Sequence, residues 1–201
     1  MSDAIRVCVA TEDHTPYADE IVATIEAAAR QRGTGIARRD PGYIRSKMLQ
    51  GKAVIALLHA DGTHPLFAGF CYIETWSGAR YVANSGLIVV PELRHSGLAR
   101  RIKRAAFELS QNLYPQAKMF GITTSHAVMK INTQLGYVPV PFSELTDDEQ
   151  FWNGCRSCPN HDILERTNHR MCLCTGMLFD PADPRAIERQ KLHLEEEATH
   201  A

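Results

Sequence analysis

The chain has 201 residues, 44% of them apolar and 22% charged, with a formal net charge of -1. That length and balance suit one compact domain with a modest appendage and exclude wholesale disorder. The near-zero charge offers no global attraction to nucleic acid or an anionic membrane, so neither is an expected partner unless a local basic cluster supplies it. The first fifteen residues lack a basic region followed by an apolar stretch, and no segment is apolar for long enough to span a bilayer, so the expected location is the cytoplasm. Cys8 and Cys71 lie in strand-like apolar runs and read as small buried hydrophobes. The other four cysteines crowd into residues 155–174, which fits metal ligation in a reducing compartment better than disulfides.

In chain order, Ile5 to Ala10 reads as a strand. Thr15 to Gln31 reads as a helix, with Tyr17, Ile21, Val22, Ile25 and Ala28 at helical spacing and Gly33 and Gly35 as its stop. Asp40-Pro41-Gly42 punctuates the chain before a shorter helix carrying Tyr43, Ile44, Met48 and Leu49. Ala53 to His59, the turn Asp61-Gly62 and Leu66 to Trp76 give a hairpin signal, and Tyr81 to Val90 follows as a third strand ending at Pro91. From Leu98 the positions Leu98, Ile102, Ala105, Ala106 and Leu109 form one helical face, with Arg100, Arg101, Lys103 and Arg104 expected to turn mostly away. Met119 to Thr124 reads as a strand, Ala127 to Leu135 as a short helix capped by Gly136, and Tyr137 to Val140 as extended. The order β, two α, three β, α, β, α, β predicts a mixed α/β (α+β) fold, its sheet mostly antiparallel.

The segment Leu87-Ile88-Val89-Val90-Pro91-Glu92-Leu93-Arg94-His95-Ser96-Gly97-Leu98-Ala99 is a strand, a tight turn and a helix start. Unpaired N–H groups and the positive end of the helix dipole make such a turn an anion site, and Gly97 lets a phosphate approach without a Cβ in the way. Arg94, Arg100, Arg101, Lys103 and Arg104 add charge that could meet a second phosphate. The pattern Arg94-x-x-Gly97-x-Ala99 after a strand ending Val-x-Pro resembles the acyl-CoA pyrophosphate signature of the GNAT superfamily. The stretch Ser125-His126-Ala127-Val128-Met129-Lys130-Ile131-Asn132-Thr133-Gln134-Leu135-Gly136-Tyr137 is similar to that superfamily's later helix, which ends in a Leu-Gly-aromatic step.

The resemblance covers roughly residues 5–142 and implies the GNAT fold, with acetyl-CoA or a similar acyl-CoA as co-substrate. It implies cofactor contacts from Leu87, Ile88, Val89, Arg94, His95, Ser96, Gly97, Leu98, Ala99 and Arg100, and from Ser125 and Asn132. Its strands at Leu87 to Val90 and Met119 to Thr124 would splay apart around the pantetheine arm. Many members carry a tyrosine that protonates the departing thiolate where this chain has Asn132, which cannot serve as that acid; Tyr137 or water would take its place. The implied reaction is attack by a neutral amine on the thioester, with a backbone N–H near Ile88 to Val90 polarising the carbonyl oxygen.

Glu74, a carboxylate in the apolar run Gly69-Phe70-Cys71-Tyr72-Ile73-Glu74, is the first candidate for the base that takes the ammonium proton; a strand-end residue facing water is the competing reading. Glu92 and His95 read more readily as solvated turn residues, and of Asn84 and Ser85 at most one can face the cleft.

Cys155-x-x-Cys158 and Cys172-x-Cys174 resemble a zinc ribbon or knuckle and predict a structural zinc on Cys155, Cys158, Cys172 and Cys174, with His161 or His169 able to replace one cysteine and free buried thiols as the alternative. The expected division is an acyltransferase core at 1–145, a cysteine-rich zinc-binding module at 146–182 and a charged helical tail at 183–201. Phe151 to Cys155 and Met171 to Cys174 are similar to a GNAT branch associated with arginine biosynthesis, whose acceptor would be glutamate; Arg38, Arg39, Arg45 and Lys47 would then be partners for its carboxylates. The expected partner is a small-molecule amine, with a homodimer left open. Acylation of a protein amine and a non-catalytic acyl-CoA sensor are the competing functions.

Overall fold

A computed structural model describes residues 4–32, 39–59 and 64–199. The helix stop at Gly33 and Gly35, the turn at Asp61-Gly62 and Arg38 lie outside the described residues. The chain divides into two compact units, one of Met1–Glu74, Asn84–Leu109 and Ser157–Pro159, the other of Thr75–Ala83, Ser110–Arg156 and Asn160–Ala201.

The first unit opens with β1 (Ile5–Val9) and a 3-10 turn over Glu12–Tyr17. The turn is closed by Thr11, whose N–H donates to His14 Nδ1 at 3.0 Å. Because that box uses the first residues for itself, α1 spans Ala18–Arg32 and starts later than the spacing predicts. Helix α2 (Pro41–Leu49) follows with Pro41 in its first turn and Asp40 as N-cap, its carboxylate accepting from the Gly42 and Tyr43 N–H groups at 2.8 and 3.3 Å. Then come β2 (Ala53–Leu58), β3 (Leu66–Trp76), β4 (Tyr81–Val89), a 3-10 turn over Pro91–Leu93 and α3 (Leu98–Leu113); the end of β3, the start of β4 and the end of α3 belong to the second unit.

The run Ala53 to Leu58 is apolar throughout because both its faces are covered. On one face Ile21 and Ile25 of α1 and Ile44 and Met48 of α2 pack with Ile55, Phe70, Tyr72 and Ile88. On the other, Leu98, Ile102 and Ala106 of α3 pack with Val54, Ala56, Cys71 and Val89. Gly69 permits that second contact: a Cβ there would lie 2.5 Å from Ile102 Cδ1 and 2.8 Å from the Ile88 carbonyl oxygen. Of the basic residues expected to turn mostly away, Arg100 and Arg101 are exposed, whereas Lys103 is buried, only 2% exposed.

The second unit holds β5 (Lys118–Thr123), α4 (His126–Gln134), β6 (Val138–Val140), a 3-10 turn over Phe142–Glu144, α5 (Glu149–Asn153), α6 (His161–Arg166), β7 (Thr175–Phe179) and α7 (Pro184–Thr199). Gly136 ends α4 at φ +90°, the C-terminal cap that its position predicts. Strand β7 was not anticipated from the sequence. It pairs antiparallel with β5 from Met119↔Phe179 to Thr123↔Thr175 and with β6 from Val138↔Leu178 to Val140↔Gly176. Strand β4 pairs in parallel with β5 over Tyr81–Ala83, which uses three of the six residues of β5.

The seven-stranded sheet has the order β1-β2-β3-β4-β5-β7-β6, mostly antiparallel and flanked by helices, as the sequence predicts. Among the described residues, no helix is long and apolar enough to cross a membrane.

Gly69→Val is expected to force Ile102 off the sheet at a cost of about 1–3 kcal/mol. For a chain of this size that lowers the thermal midpoint by roughly 2–10 °C in calorimetry; an unchanged midpoint would mean that α3 does not depend on the notch at Gly69.

Candidate active site

Two groups of predicted site residues fall in the first unit. The earlier in sequence gathers at the start of α2 and the end of β3. Side chains two apart on a strand share a face, so Tyr72 and Glu74 point together toward α2. There the Tyr43 hydroxyl donates to Glu74 Oε1 and the Arg39 Nε–H donates to the Tyr72 hydroxyl oxygen. The rings of Tyr43 and Tyr72 meet edge to face at 5.9 Å, and Lys47 Nζ stands 4.9 Å over the Tyr43 ring. Glu74 is 8% exposed. It is therefore a held, nearly buried carboxylate and not a strand-end residue facing water.

The electrostatics of this cluster follow from burial and from Glu74. Burial, then the hydrogen bond to Glu74 and its charge, push the Tyr43 phenol up. Burial and the Glu74 charge likewise raise Tyr72, against the opposing Arg39. Burial works against the Arg39 cation, but Tyr72 and Glu74 outweigh it and keep the guanidinium charged. Burial lowers Lys47, with Glu74 pulling the other way. Two cations and two protonated phenols thus surround one carboxylate. Sequence reasoning missed Tyr43 and Tyr72 as site residues; the signal was Tyr43 four residues before Lys47 on a short helix, beside the alternation Tyr72-x-Glu74.

The other group is the turn into α3. Ile88 and Val89 are buried by their side chains, so they can offer a ligand only backbone. After the 3-10 turn at Pro91–Leu93, Arg94 is extended and its Nε–H reaches the Val89 carbonyl at 3.5 Å. His95 and Gly97 are left-handed at φ +64° and +82°. The Ser96 hydroxyl donates back to the Leu93 carbonyl at 2.6 Å. The Arg100 and Arg101 N–H groups both return to the Gly97 carbonyl, at 3.1 and 3.3 Å, so the N–H groups just before them have no helical carbonyl to meet. A Cβ at Gly97 would meet nothing within 4 Å, so an anion can come close to this backbone. Leu98 is buried beneath the turn, Ala99 packs with the α3 core and Arg100 is exposed at the rim, whereas Arg101 donates to the Ile5 carbonyl at 2.7 Å and is committed to β1.

Ser125, Asn132 and Tyr137 lie in the second unit. The Ser125 hydroxyl caps α4, accepting from the Val128 N–H at 3.4 Å. Asn132 is buried and its Nδ2–H donates to Met177 Sδ at 3.6 Å. Tyr137 is fully buried, its ring 6.1 Å from that of Phe179.

The zinc site expected on Cys155, Cys158, Cys172 and Cys174 finds no support in the structure. Among the described residues no group of three or more His, Cys, Asp or Glu side chains is placed to hold a metal ion. Cys155, Cys172 and Cys174 instead pack against the aromatic core of Phe120, Phe142 and Trp152, where a thiol serves as a small apolar side chain. The Cys172 thiol donates to the Asn160 carbonyl at 3.9 Å, and His169 stacks on Trp152 at 5.5 Å and 14°.

No family model and no curated protein matches the amino-acid sequence. Solved structures do match the fold. N-acetylglutamate synthase from Neisseria gonorrhoeae, complexed with coenzyme A and N-acetyl-glutamate, superposes with a TM-score of 0.61 at 16% identity over 89% of this chain and 35% of that one. The Mycobacterium tuberculosis protein Rv2747, in complex with CoA, gives 0.59 at 15% identity over 87% and 98%. The ribosomal-protein alanine N-acetyltransferase of Escherichia coli gives 0.52 at 10% identity over 89% and 95%. The chain spans about a third of the length of the Neisseria enzyme and nearly all of the other two. The fold is that of the GNAT acetyltransferases.

EDTA treatment is expected to leave the thermal midpoint unchanged, and Cys155→Ala to cost about 1 kcal/mol without releasing metal. A lower midpoint after chelation, with stoichiometric zinc by metal analysis, would establish the four-sulfur site.

Proposed function

We propose that the protein is an acyl-CoA-dependent N-acyltransferase that moves an acetyl or similar short acyl group to the amine of a small amino acid such as glutamate. The observation that carries the reading is the pairing, within one unit, of an open backbone anion site at Gly97 with a carboxylate-centred cluster at Glu74. The Neisseria and Mycobacterium structures with bound coenzyme A support the first half, and the N-acetyl-glutamate in the Neisseria structure supports the second.

In this reading the N–H groups before Arg100 hold the pyrophosphate, and Arg94 and Arg100 meet its charge. Acyl-CoA supplies an activated acyl carbonyl. Glu74 Oε1 is occupied by the Tyr43 hydroxyl, so Oε2 takes the proton from the attacking amine. Arg39 and Lys47, kept beside that carboxylate, hold the acceptor's own carboxylates and fix its amine at Glu74. A nitrogen–carbon bond forms, the carbon–sulfur bond breaks, and the thiolate takes a proton from water.

Thiol release from acetyl-CoA and succinyl-CoA, screened against free amino acids and peptides, tests the reading. Glutamate or a close analogue is expected to be the preferred acceptor. Glu74→Gln should lower kcat by about 10²–10⁴-fold, and Arg39→Ala should raise the acceptor KM by about 10–100-fold with the CoA affinity unchanged. Gly97→Val, strained at its left-handed φ by about 1–3 kcal/mol, should abolish CoA binding in calorimetry. Peptide acceptors preferred over amino acids would point to protein acylation, and tight CoA binding with no thiol release to a sensor.

A further inference from the structure

Tyr72 of β3 is fully buried, yet the apolar layer around it has no need of its hydroxyl. Phe70, two residues earlier on the same face, fills that layer with a plain ring 6.1 Å from the ring of Tyr72. A buried hydroxyl costs stability unless it is hydrogen-bonded, and this oxygen takes its bond from the Arg39 Nε–H. The Arg39 guanidinium carbon stands 5.7 Å from the centroid of the same ring. The ring also lies against β4: Gly86 is left-handed at φ +65°, and a Cβ there would lie 2.5 Å from Tyr72 Cε1 and 3.6 Å from Cζ, the carbon that bears the hydroxyl. Arg39, Tyr72 and Gly86 thus form a continuous chain of contacts, all within the first unit. Two residues beyond Gly86 begins the stretch of β4 that offers its backbone to the thioester in the proposed function.

We infer that Tyr72 is a positioning residue of the acceptor site: its hydroxyl fixes the Arg39 guanidinium for an acceptor carboxylate, and its ring ties that cation to the strand that presents the thioester. The inference rests on the acyl-transfer reading with an acidic amine acceptor. The Nε–H lies at the stem of the guanidinium, so a bond there sets the plane of the group without using the terminal nitrogens that form a fork on a carboxylate. The oxygen that receives this bond is neutral. Burial and the Glu74 charge hold the phenol in its protonated form, so Arg39 is oriented without being neutralised, as it would be by an aspartate or glutamate in that place. A tyrosine also has only two side-chain torsions to fix, which makes it a stiff strut between Arg39 and β4.

Removing the hydroxyl separates substrate binding from proton transfer. The proposed base keeps its own support, because the Tyr43 hydroxyl holds Glu74 Oε1, and the Tyr43 ring meets the ring of residue 72, which a phenylalanine retains. A bond that only orients a substrate-binding group acts on ground state and transition state alike, so its loss appears in KM far more than in kcat. A hydroxyl that merely tied the chain before α2 to β3 would behave differently. Its loss would lower the thermal midpoint and weaken every acceptor equally.

The test measures thiol release by wild type, Tyr72→Phe, Arg39→Ala and the double variant, with glutamate, glutamine and isoglutamine as acceptors, alongside thermal midpoints. Tyr72→Phe is expected to raise the glutamate KM about 3–10-fold, with kcat falling far less and the acyl-CoA KM unchanged. The penalty should disappear with at least one of the two amides, the one lacking the carboxylate that Arg39 holds. It should also be absent where Arg39 is already alanine. An unchanged glutamate KM, a penalty equal for all three acceptors, or one that persists beside Arg39→Ala overturns the inference while leaving the acyl-transfer reading intact. A Tyr72→Phe variant that only melts lower assigns the hydroxyl to the fold and also overturns it. Wild-type protein that releases no thiol with any amine, or that prefers amines without a carboxylate, sinks the proposed acceptor reading and the inference with it.

Discussion

The seating of α3 on the sheet through the missing side chain of Gly69 is the contact on which the first unit depends. Ile102 enters that notch, so the helix cannot slide along β3 without a clash. A helix fixed so closely also fixes its own first turn. The left-handed residues His95 and Gly97 then need only bridge a short gap from the end of β4, and the N–H groups at the helix start face open space instead of packing inward. An anion site made of backbone in this way owes its geometry to a hydrophobic contact five residues farther along the chain.

The sheet separates two chemical environments. The α1 and α2 face carries the tyrosines, cations and carboxylate around Glu74, all tied to one another by hydrogen bonds and ring contacts. The α3 face is mostly apolar, with Leu98, Ile102 and Ala106 packed on Val54, Ala56, Cys71 and Val89.

Much of the fold was legible in the sequence because the relevant patterns are local. Apolar runs bounded by turns marked β3 and β4, the stripe Leu98, Ile102 and Ala106 marked α3, and Gly136 marked the end of α4. Strand β7 was not legible. Its five residues Thr-Gly-Met-Leu-Phe have no alternation, and they form a strand because they pair with both β5 and β6. The turn at Gly97 could be read from its residue types, whereas the company of Glu74 could not, because Tyr43 reaches it from a helix some thirty residues earlier and Arg39, just before that helix, reaches the neighbouring Tyr72. Lys103 was misread for a related reason: a charged residue beside a helical stripe is assigned to solvent by default, and only the width of the buried stripe shows otherwise. The cysteine spacing carries a ligand signal, and Cys155, Cys172 and Cys174 lie against the aromatic cluster of the second unit.

Strand β1 is the outermost strand on its side of the sheet, with nothing beyond it to fix its alignment, yet the Arg101 guanidinium takes the Ile5 carbonyl from across the helix layer. That single bond works as a registration pin. A shift of β1 by one residue would carry Arg6 into the apolar layer under α3 and turn Val7 toward the other helices, while the guanidinium would lose its acceptor. The alignment of the first strand and the orientation of the basic helix are thereby made one decision during folding, and an edge otherwise free to recruit a stray strand is committed to its own chain.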